Sequence, residues 1–309
     1  MKTAGEIEKT IAEAARDPQL FFGNAPEKVL KEWLTILHPD RWLGLDEARA
    51  KMWFTTMTEL AEQSKIREKI GSYRVVRRLP DGDLCQISVC EQMGKLYLAK
   101  RPLVKATGVL KREVSNLAAV TAKANEVAKH LFPKFVENVD GANVFVYGED
   151  LESLLSLSQR YPDGLHGRHL GWLGKRILLA LTWAHAAGVV HGAVTPEHIL
   201  VCKRNHGIVL CDWIFSGKAG DPIKFAPIKY KHLYPAFAVT DKRLSYKLDI
   251  AMAGRCLSSV MGDDVHQRLR NFILAMASGI MGEDAHGIHS DFDELLRRVF
   301  GSPRWFELD

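Results

Sequence analysis

Apolar positions change their period twice along the chain. In the first sixty or so residues they recur three and four apart. Ile7, Ile11 and Ala14 share one side of a helix predicted over 3–16, and Asn24 with Pro26 opens a second helix, PEKVLKEWLTIL. That helix carries Val29, Leu30, Trp33, Leu34 and Leu37 at helical spacing, and a third is predicted in RWLGLDEARAKMWFTTMTELAEQ, with Ala48, Met52, Met57 and Leu60 on its apolar side. After Ser64 the pattern becomes extended. Tyr73 to Leu79, Leu84 to Val89 and Leu96 to Leu98 form three strand-like runs separated by PDGD and EQMGK, and 143–147 is a further short strand before Gly148. The helical period then returns. A Leu- and Ile-rich helix is predicted over 168–187, with Trp172 and Trp183 on its apolar sides and a core role for both. Beyond it, VVHGAVTPEHILVCKRNHGIVLCDWI reads as strand, tight loop, strand, polar tip at 203–207 and strand, with Asp212 delivered at the end. Helices over LSYKLDIAMAGRCLSSVM, 265–281 and 290–299 follow, and the tail SPRWFELD is expected to pack through Trp305 and Phe306.

Length and composition narrow this picture. A chain of 309 residues accommodates about two domains, and 47% hydrophobic with 26% charged residues describes a globular protein rather than a disordered one. The net charge of +5 is spread among acids, so no nucleic-acid partner is expected. Cys85, Cys90, Cys202, Cys211 and Cys256 include no C-x-x-C pair, which argues against zinc and for thiols in a reducing compartment. The first residues are charged throughout, and no apolar run approaches membrane-spanning length, so the expectation is a cytoplasmic protein without membrane contact.

The loop beginning at His191 carries the chemistry. It resembles the catalytic loop of the protein-kinase superfamily, H-R-D-L-x-x-x-N followed by D-F-G. His191 stands at the family's His, while Pro196, Ile199 and Leu200 match its usual proline and aliphatic pair. The reactive positions differ: Gly192 replaces the loop Arg, Ala193 the base Asp and His198 the metal-binding Asn, and D-F-G reads Asp212, Trp213, Ile214. Upstream, the three glycines of G-x-G-x-x-G fall on Pro80, Gly82 and Cys85, so Gly82 is either a remnant of the phosphate loop or an Asp-Gly hairpin turn. Leu98-Ala99-Lys100 matches the V-A-I-K lysine, and Glu113 opens a helix that would supply its ion-pair partner. That pair would orient phosphates or hold the small lobe together. Downstream, Asp249 and Gly254 match the family's D-x-x-S-x-G, whose Asp hydrogen-bonds the catalytic-loop backbone. The segment HLYPAF lacks the Glu of A-P-E, and no Ser or Thr lies between Gly217 and Tyr234, which argues against switching by phosphorylation there.

A second resemblance lies near the start. A helix ending in His38, Pro39, Asp40 with another helix behind it is similar to the J-domain of DnaJ-type co-chaperones, in which this tripeptide contacts a DnaK-type heat-shock ATPase. Lys28 and Lys31 would belong to the same partner face. The bland alternative is a His at a helix C-terminus followed by a helix-stopping Pro.

The expected fold class is α+β. A J-like helical hairpin over 1–66 precedes a kinase-like fold with a β-rich small lobe over 72–148 and a helical large lobe over 149–309. The resemblances imply a catalytically impaired kinase-like protein, a pseudokinase fused to a J-like module, acting as a co-chaperone or scaffold with an unidentified client. ATP and Mg are the implied ligands, held by Gly82, Lys100, Glu113 and Asp212, with Asp212 as the metal residue. The competing reading is an active atypical kinase of proteins or small molecules using Lys100 and Asp212.

Overall fold

The computed structural model describes residues 3–23, 25–38, 47–66, 68–103, 108–148, 150–302 and 308. Pro39, Asp40, the proposed cap Asn24 and the tail residues Trp305 and Phe306 lie outside them. The chain divides into two compact units, residues 1–106 with 135–147, and residues 107–134 with 148–309.

The first unit opens with four helices, α1 (Ala4–Arg16), α2 (Pro18–Phe22), α3 (Pro26–Leu37) and α4 (Glu47–Gln63). Thr3 and Glu6 cap α1 reciprocally, each side chain accepting from the other's backbone N–H. The helices share a core of Ile7, Ala14, Phe22, Leu37, Trp53 and Met57. The buried face of α4 differs from the sequence expectation. It runs through Ala50, Trp53, Met57, Leu60 and Ala61, whereas Met52 is 55% exposed. The face is set by the largest side chain to bury, Trp53, and positions three and four residues from it follow.

A six-stranded antiparallel sheet completes the unit: β1 (Lys69–Ile70), β2 (Tyr73–Arg78), β3 (Cys85–Gln92), β4 (Lys95–Pro102), β5 (Phe135–Val139) and β6 (Ala142–Val146), in the order β1-β2-β3-β4-β6-β5. Val75, Cys90, Ala99 and Val144 line one buried cluster and Val76, Val89 and Leu96 another, as alternation requires. The helices and sheet are joined by hydrogen bonds within the unit. Gln19 Nε2 donates to the carbonyls of Ile66 (2.6 Å) and Val75 (2.9 Å), and Arg74 pairs with Asp17 (2.5 Å) and Glu91 (3.1 Å).

The second unit is mainly helical. It contains α5 (Val109–Lys123), β7 (Leu151–Ser153), α6 (Leu154–Arg160), α7 (Gly167–Ala186), β8 (Val189–Val190), β9 (Ile199–Cys202), β10 (Gly207–Leu210) and β11 (Gly217–Lys218), followed by α8 (Ala236–Asp241), α9 (Tyr246–Ser259), α10 (Gln267–Ser278) and α11 (Ala285–Phe300). The predicted hairpin is present, with Ile199 opposite Leu210 and Cys202 opposite Gly207. Leu173, Ile177, Leu181, Ile250, Met252, Ile273 and Phe292 are fully buried in this unit. None of the five cysteines is in a disulfide, and among the described residues no helix is long and apolar enough to cross a membrane.

Candidate functional site

Asp249 organises the loop between β8 and β9. It sits in the first turn of α9, fully buried, and accepts the backbone N–H groups of His191 and Gly192, each at 2.8 Å. His185 Nε2 lies 3.0 Å from the same carboxylate. A buried carboxylate is tolerable only with such donors, and here they come from the loop it fixes. Gly192 has φ +78°, and a Cβ on it would lie 2.8 Å from Leu244 Cδ2 and 2.9 Å from the Phe215 carbonyl oxygen. The position at which the resemblance has an arginine is therefore closed to any side chain. Tyr234 OH donates to the Gly192 carbonyl (2.7 Å), adding a further tie.

The two histidines of the loop have different partners. His191 is fully buried; its Nε2 donates to the Cys211 carbonyl (2.8 Å), and its Nδ1 accepts from the Ala193 N–H (3.3 Å). Both nitrogens are thus satisfied by the neutral ring. Burial pushes its pKa down to about 4, with the nearby Asp249 carboxylate opposing the shift. His198, by contrast, faces two acceptors. Its Nδ1 is 2.7 Å from the Ala193 carbonyl oxygen and its Nε2 is 2.9 Å from Asp212 Oδ2, while the ring stacks on Phe215 at 5.8 Å between centroids. A carbonyl can only accept, so Nδ1 donates, and Nε2 faces the Asp212 carboxylate. Asp212 itself has left-handed backbone (φ 68°), uncommon for a residue with a side chain and typical of functional turns.

The residues singled out from sequence divide between the units. Gly82 and Lys100 belong to the first; Glu113, Asp212 and the histidine loop belong to the second. Gly82 lies in the 79–84 connection between β2 and β3, its N–H donating to the Cys85 carbonyl (2.9 Å). It is not among the positive-φ glycines, and a Cβ there would make only ordinary contacts, the nearest at 3.5 Å. The Asp81-Gly82 pair therefore does not form the two-residue hairpin turn expected for such a dipeptide, because the connection is longer. Lys100 is buried on β4 opposite Asn143, its ammonium 6.0 Å from the Phe145 ring centroid. Glu113 is buried on α5. Lys28, Lys31 and His38 are exposed on and just after α3, whereas Pro39 and Asp40 fall outside the described residues.

The loop's capacity for phosphoryl transfer follows from these contacts. At the base position Ala193 offers a buried methyl group. Glu197, the nearest carboxylate in sequence, is ion-paired with Lys229 at the surface. Magnesium requires several oxygen donors. The loop supplies one carboxylate, Asp212, with the His198 imidazole against it, so substrate phosphates and water would have to provide the other oxygens. Among the described residues no group of three or more His, Cys, Asp or Glu side chains could hold a metal. Sequence reasoning did not single out Thr195, fully buried with no hydrogen-bond partner for its hydroxyl among the described residues. Its type was visible in the sequence, but nothing there signalled its isolation.

No family model matches the chain. The serine/threonine-protein kinase PknF of Mycobacterium tuberculosis is 28% identical over an alignment of 171 residues that covers 49% of this chain and 34% of PknF. PknF of Mycobacterium bovis gives the same values. The chain thus spans about a third of the length of the curated relatives it matches. The crystal structure of a kinase domain superposes with a TM-score of 0.54 at 17% identity, covering 65% of this chain and 67% of that one. The protein has a kinase-like fold.

Proposed function

We propose that this kinase-like protein is a pseudokinase, a binding scaffold that keeps the loop architecture without transferring phosphate. One observation carries the reading. The His198 ring bridges the Ala193 carbonyl and the Asp212 carboxylate, joining the residue in the place of the base to the residue in the place of the metal ligand. Phosphoryl transfer needs a carboxylate to receive the hydroxyl proton and cations to neutralise the phosphates. Here the His198 imidazole stands against Asp212 where the second metal ligand is expected, and Ala193 at the base position has no group to take a proton. ATP bound without transfer is compatible with this reading, and Lys100 is the residue the resemblance assigns to its phosphates.

The test is incorporation of labelled γ-phosphate into the protein itself and into generic protein substrates, with Asp212→Ala as control. Incorporation at background in both supports the scaffold reading. Incorporation that Asp212→Ala abolishes would establish the atypical kinase instead.

A chaperone partner is favoured by a separate observation. Lys28, Lys31, Thr35 and His38 are exposed at three- and four-residue spacing, along one side of α3 and at its C-cap. That face is the one a J-like module would present to a DnaK-type ATPase. Stimulation of such an ATPase by the full chain, lost in Asp40→Asn, is the expected result; no stimulation would leave the face without this partner.

A further inference from the structure

The second unit contains a cavity of about 440 Å³ between α7, the tip joining β9 to β10, and α11. One face of α7 builds its wall. Arg168, Trp172, Lys175, Arg176 and Leu179 follow each other at helical spacing, and all five line the space. Trp172 is half-buried here, not a core residue as its position in an apolar helix suggests, and it stacks on His206 of the tip (4.6 Å between centroids, 3° between planes). Leu296 and Phe300 of α11 close the apolar side.

The charge on this wall is one-sided. The cavity is lined by four permanent cations, Arg168, Lys175, Arg176 and Arg297, against one carboxylate, Asp293. Asp293 is already engaged by Lys175 and Arg297, and the Lys175 ammonium first of all holds it below the usual carboxylate range. Arg168 lies over the Phe300 ring at 5.1 Å. Arg176 is half-buried and has no carboxylate partner among the described residues. With Asp293 counted, the lining keeps a net charge of about +3 beside an apolar recess, which attracts an anion. His289 adds no cation, because burial, and next the Lys175 ammonium, hold its pKa below the ordinary value.

We propose that this cavity binds an amphipathic anion: a ligand with a single carboxylate or phosphate head at Arg176, and an apolar body against Trp172, Leu179 and Leu296. The volume lies in the range of small-ligand sites, which are mostly apolar with a few placed polar groups. A guanidinium is suited to either head, since its planar fork matches both carboxylate and phosphate oxygens. The site is formed within the second unit alone and uses none of the loop residues around His191, so it stands or falls independently of phosphoryl transfer.

The test is isothermal titration of the full chain with decanoate, decyl phosphate and decanol below their micellar concentrations. One saturable site is expected for an anionic probe, with a Kd under about 1 mM, and binding of the uncharged decanol at least about tenfold weaker. A tighter decanoate identifies a carboxylate ligand; a tighter decyl phosphate identifies a phosphomonoester. Arg176→Gln, which breaks no ion pair seen among the described residues, should leave the melting temperature unchanged and weaken the preferred probe about tenfold, the effect of one charge-assisted hydrogen bond. Leu179→Glu, which sets a carboxylate on the apolar wall, should weaken the probe further. No saturable anion binding up to about 1 mM, equal affinity for decanol, or an affinity indifferent to Arg176→Gln would overturn the proposal.

Discussion

Burial keeps His191 neutral, moving its pKa from 6.5 to about 4. The unfolded chain titrates this side chain near 6.5, so between the two values the unfolded state holds a proton that the native state does not. Stability from this residue is complete above pH 6.5, falls as the pH drops through the window, and levels off below about 4. The full span amounts to roughly 3 kcal/mol. His191→Gln, which retains a donor for the Cys211 carbonyl, should cost stability at neutral pH but flatten this dependence. Urea midpoints at pH 7 and pH 4.5 should show the native protein losing roughly 2–3 kcal/mol more than the variant. Equal losses would mean that His191 is protonated in the fold. The positions of His191, Asp212 and Asp249 were legible as a motif, because each is spaced along the sequence by the elements that hold it. The double contact of His198 was not. It depends on the ring being turned between Phe215 and the Ala193 carbonyl, and side-chain orientation has no trace in residue order.

Elements were read best where their period was long and uninterrupted. β2, β3 and β4, α3, α7 and the β9–β10 hairpin all lie where the apolar pattern places them. The short β1 was missed because two residues show no alternation, and β5 because three of its five positions are exposed. The joint between the N-terminal helices and the sheet was equally invisible, since it is made by polar residues far apart in sequence. Asp17 there both caps α2, accepting from the Leu20 N–H (3.1 Å), and pairs with Arg74. Arg74 is partly exposed, so its pairs with Asp17 and Glu91 are screened and its loss is worth about 1 kcal/mol. Gln19→Ala removes the donor to two carbonyls and should cost a similar amount. The combined variant Gln19→Ala with Arg74→Ala should speed amide exchange in α1 and α2 while leaving α9 and α10 protected as before. Uniform acceleration throughout the chain would show instead that the joint holds more than the helices.

At the scale of the whole molecule, the departures from the kinase motifs are dispersed. Pro80 and Cys85 belong to the first unit, whereas Gly192, Ala193, His198 and Ile214 belong to the second. They also differ in how far they can be undone. Ala193 and His198 can be replaced by Asp and Asn, but the loop arginine cannot be restored, because any Cβ at Gly192 runs into Leu244 and the Phe215 carbonyl. Ala193→Asp combined with His198→Asn should therefore fail to recover phosphate transfer, with labelled γ-phosphate staying at background. The same variant should melt lower than the parent, because Ala193 is fully buried and a carboxylate there requires donors. His198→Asn also leaves Asp212 without its imidazole. A gain of more than about tenfold in incorporation, at whatever melting temperature, would show that these two positions alone limit phosphate transfer. Background incorporation with lowered stability would mean that the packing around Gly192 and the His198 bridge are now part of what holds the helical unit together.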